Sequence, residues 1–196
     1  MKKKEEDNNF NIGSGASYLK EDEKELDTIK LTVNTPAQEV INLSKDCGKC
    51  GHCCSKTSGF VLKEELGTIA NFLNIREEEL VHNCMQSVEI YNKKIWRPHL
   101  IKKGKPYGMC IFFNADEGCT IQEVKPLHCR ISGCHELAEQ TNVWYMLNHI
   151  IDHDDPEAIR QYAQYLDAHA TIPGGRLKDI VPNESRLKKI LNHEIR

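Results

Sequence analysis

The sequence predicts a small, helix-rich α+β fold, and three observations carry that expectation. The last third of the chain, from residue 136 on, shows apolar residues at helical spacing in three successive stretches. Before it, positions 89–91, 95–97 and 109–113 are short runs of β-formers, with Gly104 and Pro106 marking a turn and therefore a hairpin. Before those, Cys47, Cys50, Cys53 and Cys54 fall within one loop as C-x2-C-x2-C-C, with Gly48 and Gly51 in the gaps. Glycine admits positive φ, so such a loop can curl and aim several sulfurs at one point. Two intervening residues let neighbouring thiolates reach one ion or one cluster face.

Three regions follow from this reading. Residues 1–33 are polar and charged and predict a largely disordered tail, with a helix over 19–29. Residues 34–135 form the cysteine domain and residues 136–196 a helical extension. In the second region, Thr35 predicts an N-cap, Pro36 the first helical position and Gln38 a capping box, for a helix running to about residue 45. Residues 59–62 predict a short strand. Leu66, Ile69, Ala70 and Leu73 recur at helical spacing over 63–73. Leu80, Val81, Cys84, Met85 and Val88 share a face of the next helix, so Cys84 reads as a small buried hydrophobe rather than a ligand. In the extension, helices are expected over 136–151, after Asp155-Pro156, and after a cap at Asn183 or Ser185.

With Cys84 set apart, eight thiols remain as candidate metal ligands: Cys47, Cys50, Cys53, Cys54, Cys110, Cys119, Cys129 and Cys134. An odd total of nine cysteines and a charged N-terminus without an apolar stretch argue against a secreted disulfide scaffold. A cytoplasmic location is expected, where thiols stay reduced and clustered cysteines read as metal ligands. The fold is then nucleated by metal, because apolar residues are sparse around the cysteines. Zinc and iron–sulfur clusters both take four thiolates, so ligand type leaves the two open. In an extended chain the neighbours Cys53 and Cys54 point to opposite faces. Cys47, Cys50 and Cys53 are therefore expected to share one centre with a distant cysteine, and Cys54 to turn towards a second; a bridging thiolate is the alternative. His52, His128 and His135 each adjoin a cysteine and are alternative nitrogen ligands, read first as supporting donors or surface residues. Lys49, Lys125 and Arg130 can offset thiolate charge. His149 and His153 lie one helical turn apart, but Ile150 stands where a metalloprotease helix carries its glutamate base.

These motifs resemble the CxxCxxCC cysteine-cluster family, a YkgJ-like zinc- or iron-chelating domain. The first half of the pattern is intact in Cys47, Cys50, Cys53 and Cys54. The second half reads as Cys110-Ile111-Phe112-Phe113, then Cys119-Thr120-Ile121, then Lys125-Pro126-Leu127-His128-Cys129-Arg130. The resemblance covers about residues 46–134. Gln122 stands where the family tends to have Tyr, Lys125 where it has Arg, and Ile131-Ser132-Gly133-Cys134 replaces an aromatic-Pro pair. The resemblance implies metal chelation and no particular reaction. One branch resembles flagellin lysine methylases with an iron–sulfur centre, but no cofactor motif here carries methyl transfer over.

Other classes are bounded by charge and hydropathy. A net charge of −3 gives no global case for nucleic acid or an anionic membrane, and no apolar run approaches the roughly 18 residues of a membrane span. Lys93, Lys94, Arg97, Lys102, Lys103 and Lys105 follow one another without an acid, interleaved with Trp96 and His99 and followed by Tyr107. This basic hairpin suits a nucleic acid or an anionic protein partner, screens the thiolates, or keeps an edge strand soluble. The leading function is metal binding; the alternatives are a redox or transferase enzyme using the centre, and a metal-stabilised adaptor.

Overall fold

The structure, a computed structural model, describes residues 31–44 and 47–195. The tail and its 19–29 helix therefore lie outside the described residues, apart from the last three positions of that region. There Leu31 is buried and the Val33 N–H donates to the Pro173 carbonyl at 3.0 Å. Helix α1, Ala37–Leu43, begins just after Pro36. Thr35 does not cap it, because its hydroxyl accepts from the Thr32 N–H at 3.0 Å, and Gln38 pairs with Asn42 one turn on instead of closing a capping box.

After the cysteine turn, the strand expected over 59–62 reduces to a single bridge between Val61 and Trp96. Helix α2, Lys63–Phe72, follows. Its Glu65 carboxylate accepts from Leu62 N–H at 2.8 Å and from Leu127 N–H at 2.6 Å, which ties α2 to the later cysteine segment. Helix α3, Glu77–Cys84, is shorter than the apolar pattern through Val88 implies. At Met85 the chain changes to strand β1, Met85–Ile90, which pairs antiparallel with β2, Lys93–Pro98. The period changes because Tyr91 and Asn92, both at positive φ, form the two-residue turn that closes a tight hairpin.

Two smaller antiparallel pairs follow. Strand β3, Leu100–Ile101, pairs with β4, Met109–Cys110, and β5, Phe113–Asn114, pairs with β6, Gly118–Cys119. Helix α4, Leu127–Ile131, carries Cys129. Helix α5, Ala138–Tyr145, widens into a π-helical turn over Met146–Ile150. Helix α6, Pro156–Leu166, starts as expected, with the Asp155 carboxylate accepting from Glu157 N–H. The four-residue α7, Leu177–Ile180, has no forerunner in the sequence reading. Helix α8, Glu184–Leu191, is capped by Asn183, whose side-chain oxygen accepts from Arg186 N–H at 2.9 Å. The outcome is a helix-rich α+β protein with short antiparallel strand pairs. Among the described residues, no helix is long and apolar enough to cross a membrane.

Two apolar clusters hold these elements. The larger joins Leu31 and Val40 to Ile131, Val143, Tyr145, Ile159, Tyr162 and Ile190. The smaller gathers Val61, Leu66, Ile69, Leu80, Met85, Phe112 and Ile121. Phe60 and Leu127 pack on the larger cluster, and Cys54, Cys84 and Cys119 on the smaller. The cysteine-bearing segments therefore sit where the two meet.

Candidate metal centre

The first cysteine segment is a tight turn. Ser55 N–H donates to the Gly51 carbonyl at 2.8 Å, and Lys56 and Thr57 N–H both donate to that of Cys53. Gly51 has φ +72°, and a Cβ there would run into the Phe113 ring, so the turn lies flat against β5 only because this residue is glycine. The turn then pairs with β4: Cys110 N–H donates to the Cys54 carbonyl at 2.7 Å and Gly108 N–H to that of Lys56 at 3.2 Å. Short hydrogen bonds thus carry Cys53 and Cys54 to Cys110, and the β5–β6 pairing of Phe113 with Cys119 adds a fourth thiol.

The fifth comes from α4. Cys129 packs its sulfur against Gly59, where an added Cβ would sit closer than 3.0 Å to Sγ and 3.2 Å from His128 Nδ1. His128 fixes this wall. Its Nδ1 accepts from Phe60 N–H at 2.9 Å and its Nε2 faces Asn142 Oδ1 at 3.1 Å, so the neutral ring carries its proton on Nε2. The Ser132 hydroxyl donates to the same Asn142 oxygen at 2.6 Å. The imidazole stacks between Phe60 and Tyr145, at 4.9 and 4.5 Å between centroids. Burial, helped by the Arg97 charge and opposed by the Asn142 hydrogen bond, lowers its pKa to about 4. Both ring nitrogens have protein partners, which makes His128 a strut.

These residues surround one cavity of about 300 Å³. Cys53, Cys54, Cys110, Cys119 and Cys129 line it, with Phe60, Phe112 and Ile121 as apolar walls and Arg97 and Lys125 as cations. The eight candidates thus divide. Cys47 lies outside the lining but near enough to Lys125 to raise its pKa, and Cys50 and Cys134 are exposed. Cys84 ends α3 and does not line the cavity, with its pKa raised by burial alone. Cys53 and Cys54 face the same cavity, against the expectation of opposite faces. The reason is that residues 51–57 curl in i→i+4 hydrogen bonds instead of running extended.

Most of the lining thiols are held protonated, beside two cations. Burial pushes the Cys129 thiol up to about 12 and the Cys110 thiol up to about 11. The adjacent Cys54 thiol holds Cys53 down to about 5, while Cys53 and burial raise Cys54. A metal ion reverses this balance, because a coordinating thiol is deprotonated outright. Lys125 is only 8% exposed. Burial works against its charge, but the neighbouring Cys47 sulfur and the charges of Cys129 and Cys119 outweigh that and raise its pKa. Arg97 donates to Thr57 Oγ1 at 2.8 Å, Ser58 Oγ at 3.1 Å and the Ser58 carbonyl at 3.2 Å. Lys49 and Arg130, the other cations singled out in the cysteine segments, are exposed. Five soft sulfurs, two compensating cations and a glycine cradle fit a thiophilic metal. Among the described residues, no three His, Cys, Asp or Glu side chains already stand in a metal-coordinating arrangement.

The other nitrogen candidates lie elsewhere. His52 is exposed, and His135 Nε2 bonds the Ile131 carbonyl at 2.8 Å. The π turn ends at Ile150, so His149 and His153 do not share a helix face; the Nε2 of each is buried without a partner. Gly59, Ser132 and Asn142 escaped the sequence reading as parts of this site, and Arg97 entered it only within a basic run able to screen the thiolates. A lone arginine among five lysines was the available signal for Arg97, since guanidinium favours partly buried, multiply bonded positions. Asn142 gave none.

No curated protein and no solved structure matches the chain. A model of the CxxCxxCC family, described as a putative zinc- or iron-chelating domain, matches residues 46–148, just over half of the chain. The match extends beyond the resemblance read over 46–134 and takes in α5 with Asn142. With both halves of its motif delivered to one cavity, the chain belongs to the CxxCxxCC family.

Proposed function

We propose that this protein carries an iron–sulfur cluster, held by thiolates drawn from Cys53, Cys54, Cys110, Cys119 and Cys129. The observation that carries this reading is the cavity: the five thiols line about 300 Å³ of largely apolar space. A zinc ion bound by four thiolates at about 2.3 Å draws their sulfurs to within about 4 Å of one another and leaves no such space. A cluster brings its own inorganic sulfide and fills it.

When bound, the cluster supplies a one-electron redox centre. The chain's own residues do the rest. Lys125 and Arg97 offset thiolate charge, Phe60, Phe112 and Ile121 keep water out, and Gly59 with the His128–Asn142 strut holds the Cys129 sulfur in place. The test is purification without oxygen, with iron, acid-labile sulfide and zinc assayed per chain. Brown protein with iron and sulfide together supports the reading. Colourless protein with one zinc per chain and no sulfide refutes it.

A further inference from the structure

The basic run does not stay together in the fold. Lys93 Nζ donates to the His149 carbonyl at 2.7 Å, and Arg97 turns into the thiol cavity. Lys102, Lys103 and Lys105 stay exposed on the loop between β3 and β4. Three of the large exposed hydrophobics of the described residues lie in the same stretch: Ile101, Tyr107 and Ile111, at 43%, 42% and 37% exposure. Lys56 joins them from the cysteine turn, with its Nζ 4.8 Å from the Tyr107 ring centre; that of Lys105 is 5.6 Å away. No acidic residue occurs between Glu89 and Asp116. The patch therefore combines apolar side chains with lysines, as a small protein interface does.

Its position matters as much as its composition. The Lys56 carbonyl accepts from Gly108 N–H, and that of Cys54 from Cys110 N–H. The loop is thus pinned by backbone hydrogen bonds to the turn that carries Cys53 and Cys54. Whatever sits on the patch sits beside the centre.

We propose that the lysine-rich β3–β4 loop, with Lys56, Ile101, Tyr107 and Ile111, is the docking surface for an acidic one-electron carrier protein that exchanges an electron with the metal centre. This rests on the iron–sulfur reading. Charge complementarity selects the partner's sign, and small, weak interfaces are typical of electron-transfer encounters. A nucleic acid fits less well. A base needs an open aromatic face to stack on, and two ammonium groups already attend the Tyr107 ring. The arginine of the run, the side chain best suited to phosphate, is spent on Thr57 and Ser58. In the exchange the reduced carrier loses one electron, the centre's charge falls by one, and no bond forms or breaks.

The test compares the full-length, anaerobically purified protein with its Lys102→Glu/Lys103→Glu/Lys105→Glu variant. The probe is a reduced, acidic [2Fe–2S] ferredoxin, with reduction followed by stopped-flow absorbance. Dithionite, which needs no docking surface, gives the end-point spectrum of each protein and verifies an intact centre in the variant. The proposal expects the variant to be reduced by ferredoxin about tenfold or more slowly at low salt, with the difference vanishing at high salt. Equal rates at low salt with identical dithionite end points overturn it. So does a variant that loses affinity for a single-stranded RNA oligonucleotide while its ferredoxin rate is unchanged. Wild-type protein that carries no iron and acid-labile sulfide overturns the cluster reading, and this proposal with it.

Discussion

Replacing Gly59 by alanine isolates the cradle of the centre without touching a thiol. The new Cβ would overlap Cys129 Sγ and approach His128 Nδ1 to 3.2 Å and Cys129 N to 3.3 Å. None of these atoms can retreat freely, since Cys129 lies within α4 and His128 is held on both nitrogens. Overpacking of this kind costs about 1–3 kcal/mol. Breaking the Phe60–His128 hydrogen bond adds about 1 kcal/mol, for a total of about 2–4 kcal/mol. Metal–ligand distances tolerate only about 0.2 Å, so a displaced sulfur should also cost metal. Gly48→Ala is the control, because nothing lies within 4 Å of a Cβ there. The assay is metal per chain together with urea unfolding. If Gly59→Ala matches Gly48→Ala in both, Cys129 Sγ is not held against Gly59 and the cradle argument is wrong.

Other outcomes follow from the same geometry. Cys110→Ala and Cys129→Ala should strip metal from the protein, whereas Cys134→Ala and Cys84→Ala should retain it, the latter losing about 1 kcal/mol of stability; elemental analysis of the four variants decides. Removing the metal with a chelator should loosen the smaller cluster first, because Cys54, Cys110 and Cys119 pack directly on it. Hydrogen exchange should then show β4 and β6 amides losing protection while those of α6 and α8 keep theirs. Burial holds the His149 imidazole below its ordinary pKa of about 6.5. The unfolded chain therefore binds the extra proton first as pH falls, and stability present above that pH declines below it. His149→Gln should flatten the slope of unfolding free energy between about pH 7 and pH 5; an unchanged slope would place the titration elsewhere.

Local chemistry made part of this fold legible. Asp155-Pro156 and Asn183 start helices because a side-chain oxygen beside the first turn has an orphan N–H to accept. The C-x2-C-x2-C-C turn is legible for a similar reason: glycine at Gly51 is required where the chain curls against Phe113. Tertiary competition hid the rest. Thr35 is drawn away by Thr32, and the apolar period through Val88 belongs half to a helix and half to a strand. The division of the cysteines was hidden too, because spacing reports which thiols are near in sequence. It does not report that the cavity takes Cys53 and Cys54 together with three distant cysteines, with Cys50 left at the surface. Gly59 and Asn142 act through a sulfur and a ring that only the folded chain brings to them.

X-ray absorption at the iron and zinc edges of the protein, purified without oxygen, tests the central claim most directly. An iron–sulfur centre among these five thiols predicts an iron edge with a shell of sulfur neighbours and a second shell of iron, both lost in Cys129→Ala. A zinc edge with four sulfurs at about 2.3 Å and no metal neighbour, or an iron shell of nitrogen and oxygen alone, would contradict it.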